Sequence, residues 1–135
     1  LKFMERGYEL KILDTSGDKQ KSSEILETVK RQVAEHRKTL PQFEKEAIAA
    51  KAGEADVKLG EAFLSYDQPA KAVEAMQRGI AKGGVKSLDD ANLSLGRAFL
   101  AAGDRAAAET AFSLVKKPDY ALLAQLWSVI TAQQP

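Results

Sequence analysis

The chain has 135 residues, 44% of them hydrophobic and 29% charged, with 20 basic against 19 acidic side chains and a net charge of +1. That size and mixture suit one folded domain or one short solenoid and lie far from the composition of a disordered chain. The charge balance leaves no broad footprint for nucleic acid or an anionic membrane. The absence of cysteine excludes disulfides and thiolate metal sites, and no apolar run approaches the roughly 20 residues of a membrane span.

Alanine, leucine, lysine and glutamate dominate throughout, while valine and isoleucine are scattered rather than alternating, so the chain reads as all-α. Residues 3–13 form the first predicted helix. Gly17 and Asp18 then make a turn, and a second helix follows with Ser22 and Leu26 on one face. Lys30, Arg31, Arg37 and Lys38 are interleaved with Glu27 and Glu35, the pattern of a solvated helix face. His36, the single histidine, sits in AEHRK near an expected helix end, where it complements the helix dipole. Pro41 is expected to open a short helix over residues 42–51, closed by Gly53.

From there the sequence repeats. LGEAFLSYDQPAKAVEAM (residues 59–76) aligns with LGRAFLAAGDRAAAETAF (residues 95–112) at an offset of 36. Leu59, Gly60, Ala62, Phe63, Ala72 and Met76 correspond to Leu95, Gly96, Ala98, Phe99, Ala108 and Phe112. Each copy places a Leu-Gly pair and an aromatic on one helix, then a tight turn, then a second helix with a small residue four before a large one. The small residues predict close approach of two antiparallel helices, with Phe63 and Met76 filling the space around it. Asp67-Gln68-Pro69 and Gly103-Asp104 make the turns; Gly103 suits a left-handed helix end and Pro69 the first turn of a helix. Lys82-Gly83-Gly84-Val85 is a linker that ends a helix, because it lacks the context of a phosphate-binding loop. Asp89 and Asp90 mark an acidic helix start. The last stretch, PDYALLAQLWSVITAQQ, reads as one more helix, with Trp127 in register with Leu123 and Ile130. Phe63, Met76, Phe99, Phe112, Leu123 and Trp127 are the expected core.

The pair of copies resembles the tetratricopeptide repeat family: a Leu-Gly pair, an aromatic, an alanine and a large apolar residue recur in register, with Pro118 near the end. The early tryptophan position holds Asp56 in one copy and Asn92 in the other. The resemblance implies an all-α, short right-handed solenoid of antiparallel hairpins. Its parts are a degenerate hairpin plus a short inserted helix over residues 1–52, two tandem repeats over 53–118, and a capping helix over 119–135. It also implies a concave surface lined by the first helix of each pair. Helical spacing places Val57, Glu61 and Leu64 on one stripe and Leu93, Arg97 and Leu100 on the equivalent stripe, with Lys58 at the rim. These seven residues are the candidate partner-binding set, suited to a protein or peptide with apolar anchors and a polar edge. Some family members grip chaperone C-termini through a clamp of lysines and asparagines. Here Val57 and Glu61 occupy two clamp positions and Asn92 is the single asparagine, so that clamp is not expected.

No nucleophile–histidine–carboxylate set and no metal-ligand cluster is legible, so no catalytic residue, metal or cofactor is assigned. The expected function is a non-enzymatic interaction module or scaffold whose partner is unidentified. The alternative is a self-associating structural subunit, a homo-oligomer stacked through a solenoid end. Neither nucleic-acid binding nor direct membrane insertion is expected. The alanine-rich style of the repeats resembles that of bacterial envelope proteins, which implies the periplasm rather than the cytoplasm.

Overall fold

A computed structural model of the chain describes residues 19–133. Every regular element among them is helical: α1 Lys19–Ala49, α2 Glu54–Ser65, α3 Pro69–Lys82, α4 Leu88–Ala102, α5 Arg105–Ser113 and α6 Pro118–Gln133. The chain divides into two compact units, Leu1–Pro41 and Gln42–Pro135. The expected helix over residues 3–13 and the turn at Gly17-Asp18 lie outside the described residues.

Helix α1 differs from expectation. The break foreseen before a short inserted helix is absent, and residues 19–49 form one helix with Pro41 inside it. An interior proline removes a backbone donor and costs about 3 kcal/mol. Good helix formers on both sides of it offset that cost, helped by bonds within the helix. Lys30 lies 3.3 Å from Glu27, Lys38 lies 2.7 Å from Glu35, and Gln42 donates to Glu46 at 2.8 Å. Each such pair adds a few tenths of a kcal/mol. Pro41 therefore falls at the division between the two units, not at a helix end. His36 is exposed in mid-helix, beyond reach of the dipole at either terminus.

In the second unit, α2–α3 and α4–α5 are antiparallel hairpins built the same way. At the first turn Asp67 adopts a left-handed backbone with φ of 62°, and at the aligned position Gly103 does so with φ of 87°. The backbone bonds recur as well. Gln68 N–H donates to Phe63 O at 2.9 Å, and Asp104 N–H donates to Phe99 O at 2.9 Å. This closure satisfies carbonyls that a helix end otherwise leaves open. The second helices then start differently. Pro69 opens α3 with its fixed φ, whereas the Asp104 carboxylate caps α5 by accepting from Ala107 N–H at 3.0 Å.

The glycines mark the crossings. A Cβ on Gly60 would lie 2.4 Å from Met76 Cγ and 2.9 Å from Ala72 O. A Cβ on Gly96 would lie 2.3 Å from the Phe112 ring. Each helix pair thus packs at a separation only glycine allows. Leu59, Phe63, Ala72 and Met76 are buried in the first hairpin, and Leu95, Ala108 and Phe112 in the second. Phe99 and Trp127 are half-buried and pack against Ala108 and Phe112, so α6 rests on the second hairpin through its tryptophan. Leu123 departs from the expected core, being 42% exposed. Helix α6 is apolar around most of its circumference, so spacing alone did not single out the side that meets the hairpin.

Candidate functional site

The seven candidate residues spread over the first helices of the two hairpins. Val57 is buried, because α2 crosses α3 closely at its N-terminal end. A Cβ on Gly79 would lie 3.0 Å from Val57 Cγ2, which places that side chain inside the hairpin rather than on a docking face. Lys58 is at the surface, 3.8 Å from Glu54 Oε1. Glu61 is exposed and Leu64 half-buried one turn later. On α4, Leu93 and Leu100 are half-buried against the Ala108–Phe112 cluster, and Arg97 is exposed.

Glu61 and Arg97 in this set are joined to other partners. Ser94 donates its hydroxyl to Glu61 Oε1 at 3.1 Å, which links α2 to α4 directly. The Arg97 guanidinium lies over the Trp127 ring, 5.9 Å from its centre. That cation–π contact adds about 0.5–1 kcal/mol at an exposed site and ties α4 to α6. Glu61, Leu64, Arg97 and Leu100 thus recur as a polar and an aliphatic side chain at the same two positions of successive helices.

Sequence reasoning missed a buried charged centre among the described residues. Asp56, aligned with Asn92 of the second copy, is fully buried. Its Oδ1 accepts from Arg78 Nε at 2.7 Å and lies 2.7 Å from Arg78 Nη2. Its Oδ2 lies 2.6 Å from Lys82 Nζ. Lys82 donates onward to Ala47 O at 2.8 Å and Ile48 O at 3.0 Å. One ammonium thereby pairs with a carboxylate and donates to two carbonyls of the last turn of α1. A cation at a helix C-terminus is favoured by the dipole as well as by these bonds. The signal that would have found this centre is the pairing of Asp56 with Arg78 and Lys82, four residues apart on one face of α3.

This cluster is a clasp, not a reaction centre. Two cations hold the carboxylate, which has no exposure to a substrate. Among the described residues no group of three histidine, cysteine, aspartate or glutamate side chains is placed to hold a metal ion, and no helix is long and apolar enough to cross a membrane. Asp89 is a clasp of a different kind. Its carboxylate accepts from Lys116 N–H at 3.0 Å and Lys117 N–H at 3.2 Å, holding the chain that leaves α5 against the start of α4.

Compared with protein-family models, curated proteins and solved structures, the chain matches none.

Proposed function

We propose that this protein is a non-enzymatic interaction module, a short solenoid of tetratricopeptide-like hairpins that binds a protein or peptide along the first helices α2 and α4. The observation that carries this reading is the recurrence of Glu61 with Leu64 and of Arg97 with Leu100 at aligned positions, the charged pair exposed and the leucines half-covered. Hairpin interiors account for Val57, Leu59, Phe63 and their counterparts; Glu61 and Arg97 stay exposed while bound to Ser94 and Trp127, and Leu64 and Leu100 stay partly exposed beside them. Such a polar–aliphatic pair matches a ligand with apolar anchors and a polar edge. The binding set is accordingly Lys58, Glu61, Leu64, Arg97 and Leu100, with Leu93 beneath them and Val57 withdrawn into the hairpin.

The test is capture of binding proteins from lysate of the source cells, with wild type beside the double variant Leu64→Glu/Arg97→Glu. Circular dichroism establishes that both baits are folded. The expected result is a partner retained by wild type and lost, by at least about tenfold, from the folded variant, the loss that removal of one anchoring contact of about 1.4 kcal/mol or more produces. A partner held equally by both rejects this face.

A further inference from the structure

The two exposed charges of the α2–α4 face are each held from the next helix along. Glu61 of α2 accepts from the Ser94 hydroxyl of α4 at 3.1 Å, and Ser94 is itself buried. Arg97 of α4 lies over the Trp127 ring of α6, 5.9 Å from its centre. Helix α4 packs on both α2 and α6, so the two contacts follow one another along the row.

Neither contact uses up the charge it orients. A carboxylate has two acceptor oxygens. Ser94 takes Oε1 of Glu61, and Oε2 has no donor among the described residues. A cation–π contact takes none of the guanidinium's five N–H donors into a hydrogen bond. Arg97 has no acceptor among the described residues, so its planar donor edge, which matches a carboxylate bidentately, is open. Side chains held in place this way lose less freedom on binding than ones free to rotate. Leu64 and Leu100, one turn beyond each charge, are half-buried and supply apolar contact beside it.

We infer that this face takes a partner segment of mixed charge: an acidic side chain on the Arg97 edge, a basic side chain on Glu61 Oε2, and apolar side chains against Leu64 and Leu100. The inference rests on the reading of α2 and α4 as the docking face and adds which segment that face accepts. Charge complementarity selects it. A uniformly acidic segment sets a like charge against Glu61, and a uniformly basic one sets a like charge against Arg97; either mismatch is costly at an interface. Packed helices lie about 8–10 Å apart, so the acid and the base stand about three residues apart in an extended segment. Opposite signs on the two helices also fix the direction: the basic end lies over α2 and the acidic end over α4.

The experiment is selection of short random peptides from a phage-displayed library on wild type, Leu64→Glu and Glu61→Arg, with circular dichroism establishing that each is folded. Wild type is expected to enrich peptides with an acid and a base at one spacing and in one order, and Leu64→Glu to enrich none of them. Glu61→Arg is expected to enrich peptides in which a second acid replaces the base. A labelled synthetic copy of a wild-type-selected peptide is then titrated by fluorescence anisotropy. Exchanging its acid and base is expected to weaken binding to wild type at least about tenfold. That titration needs no variant, so it decides the matter if Glu61→Arg does not fold. Peptides that Leu64→Glu loses but that lack the paired charges overturn this inference and leave the docking face standing, as does an exchange without effect. Peptides that folded Leu64→Glu retains, or no enrichment on wild type, overturn both.

Discussion

At their turns the α2–α3 and α4–α5 hairpins are near copies, and at the opposite ends they part. Both turns use a left-handed residue and the same 2.9 Å backbone bond from the residue after it. At its open end the first hairpin closes by direct backbone contact. Gly53 N–H donates to Gly83 O at 2.7 Å, and a Cβ on Gly53 would lie 1.7 Å from Gly79 O. In the second hairpin Asp89 stands at the aligned position and closes the end through its carboxylate. The interiors differ in step. Asp56 is buried where Arg78 and Lys82 meet it; at the aligned positions stand Asn92, Leu114 and Pro118. Asn92 is buried and neutral, as it must be once both cations are gone, because an unpaired buried carboxylate is strongly unfavourable. The repeat thus fixes packing at one end and leaves the other free to diverge in coupled sets of residues.

The contrast makes Gly53→Ala the most damaging single change. Its Cβ meets backbone, which cannot rotate away, so a loss of about 3 kcal/mol or more is expected in urea denaturation. Asp89→Ala, the aligned change, removes two hydrogen bonds to a charged acceptor at the surface and is expected to cost about 1–2 kcal/mol. Equal losses at the two positions would erase the distinction between the two closures.

Lys82→Met comes next, with an expected loss of about 3 kcal/mol, since Asp56 keeps one cation while the end of α1 loses its two side-chain bonds. Adding Asp56→Asn to Lys82→Met is expected to recover part of that loss, because the carboxylate is then no longer short of a partner. The smallest effects lie at the turns. Gly103→Ala is expected to cost about 1 kcal/mol and Asp67→Gly to stabilise by up to about 1 kcal/mol, as both positions need φ above zero. Thermal unfolding resolves both signs.

The turns and helix crossings were legible in the sequence because the repeat states each twice. Gly60 with Met76 and Gly96 with Phe112 predict the same close approach, and the structure has it in both places. The features stated once were harder to read. Asp56 looked only like a departure from a family pattern, since its partners lie 22 and 26 positions away on another helix. Pro41 read as a helix start, yet the strong helix formers on either side carry α1 through it. On α2 the spacing put Val57, Glu61 and Leu64 on one stripe, but the Gly53–Gly79 crossing draws the N-terminal end of that stripe inward and leaves Glu61 outside. On α6 an apolar residue at nearly every position hid which side meets the hairpin, so Leu123 and Trp127 looked alike.

The central claim is that the two hairpins are copies of one unit whose buried charge and its partners change together. The most direct measurement is a double-mutant cycle in the second hairpin, by denaturant unfolding of wild type, Asn92→Asp, Leu114→Arg and the double variant. Leu114 aligns with Arg78, is 52% exposed and has a right-handed backbone at the C-cap of α5, so an arginine is accommodated there without burial. Asn92→Asp alone is expected to lose about 3 kcal/mol and Leu114→Arg alone to change stability by less than about 0.5 kcal/mol, with the double variant regaining about 2 kcal/mol. Additive losses, with no recovery in the double variant, would contradict the equivalence of the two hairpins.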